Sequence, residues 1–153
     1  YSFVGPLSIG ASLAGMHSEF SPALLNFGKN LGIAYQLADD ILGVFGDSEV
    51  TGKSNSSDIE EGKKTLLLQF TAANLNDSDL ATLNSILTSE HKSKKNIEIV
   101  RAYMRSSGAL DKVRAMAETY ETIALSELEK LKVAPIFKRA FQDLAQRTVR
   151  RVM

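Results

Sequence analysis

The sequence predicts an all-α fold, and three observations carry the prediction. Apolar residues recur mainly three and four positions apart, the spacing that lines up one side of a helix. No stretch alternates apolar and polar residues as a half-buried strand would, and no fixed-period repeat is present. Proline, serine, aspartate and glycine stand where helices of ordinary length would start and stop. Helices with such patterns are expected to pack as a bundle.

Residues 1–15 read as a buried helix. Leu7, Leu13 and Met16 lie among Gly10, Ala11, Ala14 and Gly15, and small residues let helices approach closely. Pro6 stands near the start, where proline is tolerated. Ser21 and Pro22 form an N-cap and first-turn pair for the next helix. Leu24, Leu25, Leu31, Tyr35, Leu37, Ile41, Leu42 and Phe45 supply its apolar spacing, and Gly46 and Asp47 end it. Residues 46–62 are polar and hold Gly52, Ser54, Asn55, Ser56 and Ser57. They read as a flexible loop, longer than the usual helix–helix connection.

Residues 63–73 look helical. Asp77 and Ser78 can cap a helix reaching about Leu87, and a charged connector covers 91–95. A further helix runs over 97–106 and is stopped by Gly108. Residues 109–131 form a long amphipathic helix with Leu110, Val113, Ala117, Tyr120, Ala124, Leu128 and Leu131 on one side. Pro135 begins the last helix, which carries Ile136, Phe137, Ala140, Leu144 and Val149.

The bulk numbers narrow the function. At 153 residues the chain is the size of one domain with a substantial core. Its 18 basic and 18 acidic residues cancel, so no global field draws it to nucleic acid or anionic lipid. Cysteine is absent, which removes disulfides, thiolate metal sites and thiol nucleophiles. No apolar run approaches membrane-spanning length. The first residue is Tyr1, and the small residues of 9–15 lack the basic leader of a signal peptide. The chain is therefore expected to begin inside a larger protein.

One stretch, residues 32–65, carries the chemistry. Asp39 and Asp40 sit among Tyr35, Leu37, Ala38, Ile41 and Leu42, with Gln36 one turn earlier. Two aspartates in an apolar neighbourhood are costly to bury without a cation, yet a solvated polar face explains them equally well from these residues alone. Lys53 lies in the following loop, and Lys63 and Lys64 at its end. Carboxylates bind Mg²⁺, Mg²⁺ binds phosphate oxygens, and lysines neutralise the remaining phosphate charge. A solvated lysine in an ordinary loop is the plainer alternative for Lys53.

Other motifs fail on spacing. Residues 51–54, TGKS, resemble the tail of a P-loop, but Gly46 and Gly52 are one residue too far apart and a helix precedes them. Residues 39–47 lack the alternating oxygen ligands of a calcium loop. His17 and His91 lack paired metal-site spacing. Tyr1, Phe3, Phe20 and Phe27 read as core, and Arg147, Arg150 and Arg151 as a solvated helix end.

The run QLADDILGVFGDSEVTGKSNSSDIEEGKKT closely resembles the second aspartate-rich region of the trans-prenyl diphosphate synthases, the polyprenyl synthetases. Gln36, the Asp39–Asp40 pair, Phe45-Gly46-Asp47, Val50-Thr51-Gly52-Lys53, Asp58 and Lys63 arrive in the family's order. YSFVGPLSIGASLAG resembles the helix leading up to that region, and the resemblance continues through the later helices. Glycine at position 43 looks like the geranylgeranyl-type enzymes of actinobacteria.

The resemblance implies a helical bundle of the isoprenoid synthase type, incomplete here, with residues 1–153 as the C-terminal part of one domain. It implies a soluble, cytoplasmic prenyltransferase that condenses isopentenyl diphosphate with an allylic diphosphate, with Mg²⁺ held between two aspartate-rich motifs. By position, Asp39 and Asp40 are metal-side carboxylates, and Asp47 is the nearest spare one. Gln36 helps to orient the reacting groups. Lys53 closes with the loop on the allylic diphosphate, and Lys63 is a second diphosphate contact. Tyr35 replaces a usual phenylalanine and is expected to line the cavity.

Two departures bear on this. Gly43 stands where the family's second motif usually has a third aspartate. The first aspartate-rich motif, and the basic residues expected with it, are absent from the sequence. This polypeptide alone is therefore expected to be nearly inactive and to associate, as a homodimer or with a complementary half. The alternatives are a non-catalytic subunit of a prenyltransferase complex and a plain helical interaction domain.

Overall fold

A computed structural model describes residues 2–15, 22–46 and 56–149. Among the described residues there are eight helices and no strand, so the all-α expectation holds. In chain order they are α1 (Val4–Leu13), α2 (Pro22–Phe45), α3 (Ser57–Glu60), α4 (Leu66–Ala73), α5 (Asp77–Thr88), α6 (Lys94–Ser106), α7 (Ala109–Glu129) and α8 (Pro135–Val149). No helix among the described residues is long and apolar enough to cross a membrane.

The helix starts follow local capping chemistry. Thr65, Asn76 and Ser93 each accept a backbone N–H three residues on, at the heads of α4, α5 and α6. Thr65 thereby delays α4 to Leu66, and residues 63–65 stay non-helical where the sequence predicts helix. Asn76 caps α5 in place of the expected Asp77. Within the predicted 46–62 loop, Ser57–Glu60 makes one helical turn. Ser21, the expected cap of α2, and residues 47–55 lie outside the described residues.

The chain divides into two compact units, one of residues up to 38 with those from 116, the other of residues 39–115. In the first, Phe27 and Leu31 of α2, Ala124, Leu128 and Leu131 from the end of α7 onward, and Ala145 of α8 form a buried cluster. Phe141 meets Phe27 edge-on at 5.4 Å between ring centres. Phe3 packs against the same cluster, so the core reading holds for Phe3 and Phe27, whereas Tyr1 and Phe20 lie outside the described residues.

One expectation for this unit needs correction. The small residues of α1 do not bury it: Ala11 is its one buried residue, and Ile9 and Leu13 are 63% and 85% exposed. The small residue at the contact is instead Gly28 of α2, where a β-carbon would stand 2.8 Å from Leu7. Because α1 is apolar all round, packing Val4 and Leu7 on α2 leaves its other side open. In α8, Ile136, Phe137 and Leu144 are likewise exposed, while Ala145, Thr148 and Val149 are buried.

In the second unit α6 packs against α3 and α4. Val100 and Met104 of α6, Ile59, Leu67, Leu83 and Val113 are buried there. Tyr103 donates its hydroxyl to Asp79 at 3.0 Å and so ties α6 to the capped first turn of α5.

Candidate functional site

The end of α2 supplies the acids. Asp40 lies on the same side of the helix as Leu37, Ile41 and Val44, all buried, and is itself only 7% exposed. Asp39, one step round the helix, is half-buried. A carboxylate as buried as Asp40 needs a cationic or hydrogen-bonding partner. Lys63 provides it: its Nζ lies 3.3 Å from Asp40 Oδ1 and 3.0 Å from Asp58 Oδ2.

Asp58 holds Lys63 twice. Its carboxylate accepts the ammonium, and its backbone carbonyl accepts the Lys63 N–H at 2.9 Å. This geometry needs Gly43. A β-carbon there would lie 2.5 Å from Asp58 Oδ2 and 2.6 Å from its Cγ, closer than any side chain tolerates. The carboxylate of Asp58, from α3, thus fills the space where a side chain at position 43 would project. The sequence pattern contained Asp58 but assigned it no role.

Arginines of α6 fix the end of α2. Arg101 Nε donates to the Val44 carbonyl at 2.8 Å, and the same guanidinium pairs with Glu98. Arg105 lies over the Phe45 ring, 4.7 Å from its centre. A cation on a last-turn carbonyl also complements the helix dipole. Arg101 escaped the sequence reading, because nothing local to residue 101 signals a partner in α2.

The electrostatics follow. Burial favours the neutral amine of Lys63, but the hydrogen bond to Asp58 and the charges of Asp40 and Asp58 outweigh it and raise its pKa above 10.5. Lys63 is therefore a permanent cation at neutral pH. Its ammonium has three N–H bonds, and with two directed at carboxylates one remains for a further oxygen.

Of the residues expected to form the site, the structure brings together Asp40 and Lys63, next to Asp39. Gln36 is exposed one turn earlier on α2, and Tyr35 packs its ring against Phe3 at 5.4 Å. Lys53 and Asp47 lie outside the described residues, as do His17, Arg150 and Arg151; His91 and Arg147 are exposed. Among the described residues no three acidic or histidine side chains gather as a ready-made metal cage. Mg²⁺ seldom needs one, since it is usually held by one or two carboxylates with substrate phosphates and waters. Asp39 and Asp40 fit that role, so the donor set suits Mg²⁺ arriving with a phosphorylated ligand.

The family model for polyprenyl synthetase matches residues 1–104. The geranylgeranyl diphosphate synthase of Saccharolobus solfataricus is 32% identical over 94% of this chain. That of Sulfolobus acidocaldarius is 34% identical over 97%. The chain spans 45% of the length of each of these relatives. A solved structure, the geranylgeranyl pyrophosphate synthase from Corynebacterium glutamicum complexed with isoprenyl diphosphate and magnesium, superimposes on 99% of this chain and 43% of its own, with a TM-score of 0.92 and 31% identity. Fold, relatives and the matched acid-bearing helix agree: the chain belongs to the polyprenyl synthetase family.

Proposed function

We propose that this chain is the part of a trans-prenyl diphosphate synthase that binds the metal side of an allylic diphosphate, in an enzyme making a geranylgeranyl-type product. The observation that carries the reading is the buried Asp40, adjacent to Asp39 and ion-paired to Lys63, on an otherwise apolar helix side. The relatives named above are synthases of that product, and one is a complex with isoprenyl diphosphate and magnesium.

In this reading Asp39 and Asp40 bind the metal side of the diphosphate, with Asp47 as a further acid near the end of the same segment. Lys53 and the open N–H of Lys63 neutralise phosphate oxygens, and Gln36 orients the reacting groups. Tyr35 lines the hydrocarbon side. The allylic C–O bond breaks, and its electron pair leaves with the diphosphate. The double bond of isopentenyl diphosphate attacks the resulting allylic cation, a C–C bond forms, and a proton departs. Mg²⁺, when bound, stabilises the charge that develops on the departing diphosphate.

Two facing acid motifs are required for that chemistry, and this sequence has a single Asp-Asp pair. Turnover by this chain alone with both diphosphates and Mg²⁺ is therefore expected at background level, and substantial turnover refutes this part of the reading. Exposed Ile136, Phe137 and Leu144 on α8 offer apolar area for association, which sedimentation velocity measures as a mass above the monomer. The binding claim is tested by calorimetric titration of inorganic pyrophosphate with and without Mg²⁺. Binding is expected to need Mg²⁺ and to weaken by about tenfold or more in Asp39→Asn and Asp40→Asn. Equal binding by wild type and both variants refutes it.

A further inference from the structure

We propose that Lys63 is a resident counter-ion, which a divalent cation must displace from Asp40, and that Asp58 is the partner that retains Lys63 when it moves. The inference rests on the reading of Asp40 as a metal-side carboxylate. It adds what occupies that carboxylate beforehand and where the occupant goes.

The two ion pairs of Lys63 are unequal. The contact to Asp58 is the shorter, 3.0 Å against 3.3 Å to Asp40. It is also doubled by the backbone bond from Lys63 N–H to the Asp58 carbonyl at 2.9 Å. Lys63 thus belongs first to Asp58 and reaches Asp40 as a second acceptor. The lysine side chain is 38% exposed, whereas that of Asp40 is 9% exposed. The ammonium has a path outward to water, and the aspartate does not.

A carboxylate so deeply buried is costly to leave without a cation. An incoming divalent ion and the ammonium compete for the same oxygens, and they repel each other across a few ångströms. Exchange is favourable only if Lys63 keeps a charged partner as it leaves, and Asp58 is positioned to be that partner. Gly43 makes the arrangement possible, because any β-carbon there drives the Asp58 carboxylate away from its place. The competition sets divalent affinity low in the free protein and couples metal arrival to a movement of Lys63 toward solvent, where its open N–H meets an arriving anion.

The test uses the 153-residue chain and Mn²⁺ as the probe, with free Mn²⁺ counted by electron paramagnetic resonance in the absence of any diphosphate. Lys63→Gln removes this competing cation and is expected to bind Mn²⁺ about tenfold tighter, a coupling of ordinary size. Unchanged or weaker binding overturns the proposal. Gly43→Ala keeps every charge but forces Asp58 off Lys63. It is expected to bind Mn²⁺ about threefold or more weaker, because Lys63 then settles on Asp40. If Lys63→Gln loses its helical circular dichroism, Gly43→Ala decides alone: weaker binding upholds the displacement, and equal or tighter binding overturns it. Asp40→Asn separates the two layers. If it matches a wild type that binds, the metal reading fails and the proposal with it; if no form binds Mn²⁺, removing Lys63 frees nothing and the displacement is overturned. If it loses binding while Lys63→Gln stays at the wild-type level, only the displacement fails.

Discussion

The apolar cluster around Phe27 and the ionic cluster around Lys63 are held in opposite ways. Phe27, Leu31 and Leu128 are fully buried, touch one another through area, and need no particular partner. Lys63 is partly exposed and is held by two carboxylates and one carbonyl in fixed directions. Burial of a large side chain contributes kilocalories, whereas a partly solvated ion pair contributes about 0–1 kcal/mol. Apolar clusters such as the first are therefore where stability resides. The second adds less to folding, and because Asp40 is buried it can exchange one cation for another but not be left without one, which suits a place where charged ligands come and go.

Substitutions test that contrast, beginning with the largest effect. Phe27→Ala removes the side chain that meets Phe141 and anchors the α2 cluster. It is expected to lower unfolding free energy by about 3–5 kcal/mol, measured by urea denaturation. A loss under about 1 kcal/mol would mean that the cluster is not the stabilising core.

Arg101→Met keeps the aliphatic stem but leaves the Val44 carbonyl without its cation. Stability is expected to fall by about 2 kcal/mol, the range for a hydrogen bond from a charged group, in the same denaturation assay. Unlike Phe27→Ala, this change should also raise amide hydrogen exchange selectively in the last turn of α2, where the guanidinium holds the helix end. Uniform exchange along the helix would place the effect elsewhere.

Alkaline pH probes the ionic region by itself. The folded-state pKa of Lys63 lies above 10.5, so the folded chain holds that proton more tightly than the unfolded one. The pair's contribution is complete below 10.5 and disappears as pH rises through the higher folded value. Tyr103 acts in the same direction, since its hydrogen bond to Asp79 raises its pKa above 10.0. Melting temperature is expected to decline across this window. Lys63→Gln should flatten one part of the decline and Tyr103→Phe another.

Gly43→Ala is expected to have the smallest effect on stability. Alanine gains about 1 kcal/mol over glycine inside a helix. The displaced Asp58–Lys63 contact, discounted for the partial exposure of Lys63, loses a similar amount. The net change in urea should stay within about 0.5 kcal/mol, as expected where the two effects offset each other. A loss of several kilocalories would mean that Asp58 holds up the fold as well as Lys63, and the division between the two regions would fail.

Much of the helical framework was legible in the residues. The expected apolar side of α7 is buried as read at Leu110, Val113, Ala117, Ala124 and Leu128, with Tyr120 half-buried. The ends of α5, α6 and α7 fall within a few residues of their predicted limits. Asp39 and Asp40 were identifiable because acids within an apolar helical pattern break a periodicity that is itself visible. The family resemblance rested on the same stretch. Some expectations failed where burial depends on a neighbour: an apolar α1 was read as buried, yet Ile9 and Leu13 face outward. An apolar pattern states what a helix can bury, not what is there to cover it.

The sequence alone determined helix content, the main caps, and the acid pair on its apolar helix, because each depends on residues within a turn or two of one another. Tertiary structure alone decided that Lys63 meets Asp40 across 23 positions and that Arg101 reaches Val44 across 57. It also decided that Asp58 occupies the space above Gly43. Those contacts exist only once the chain has turned back on itself, and the energy that brings it back is supplied by the apolar core rather than by the charges that meet.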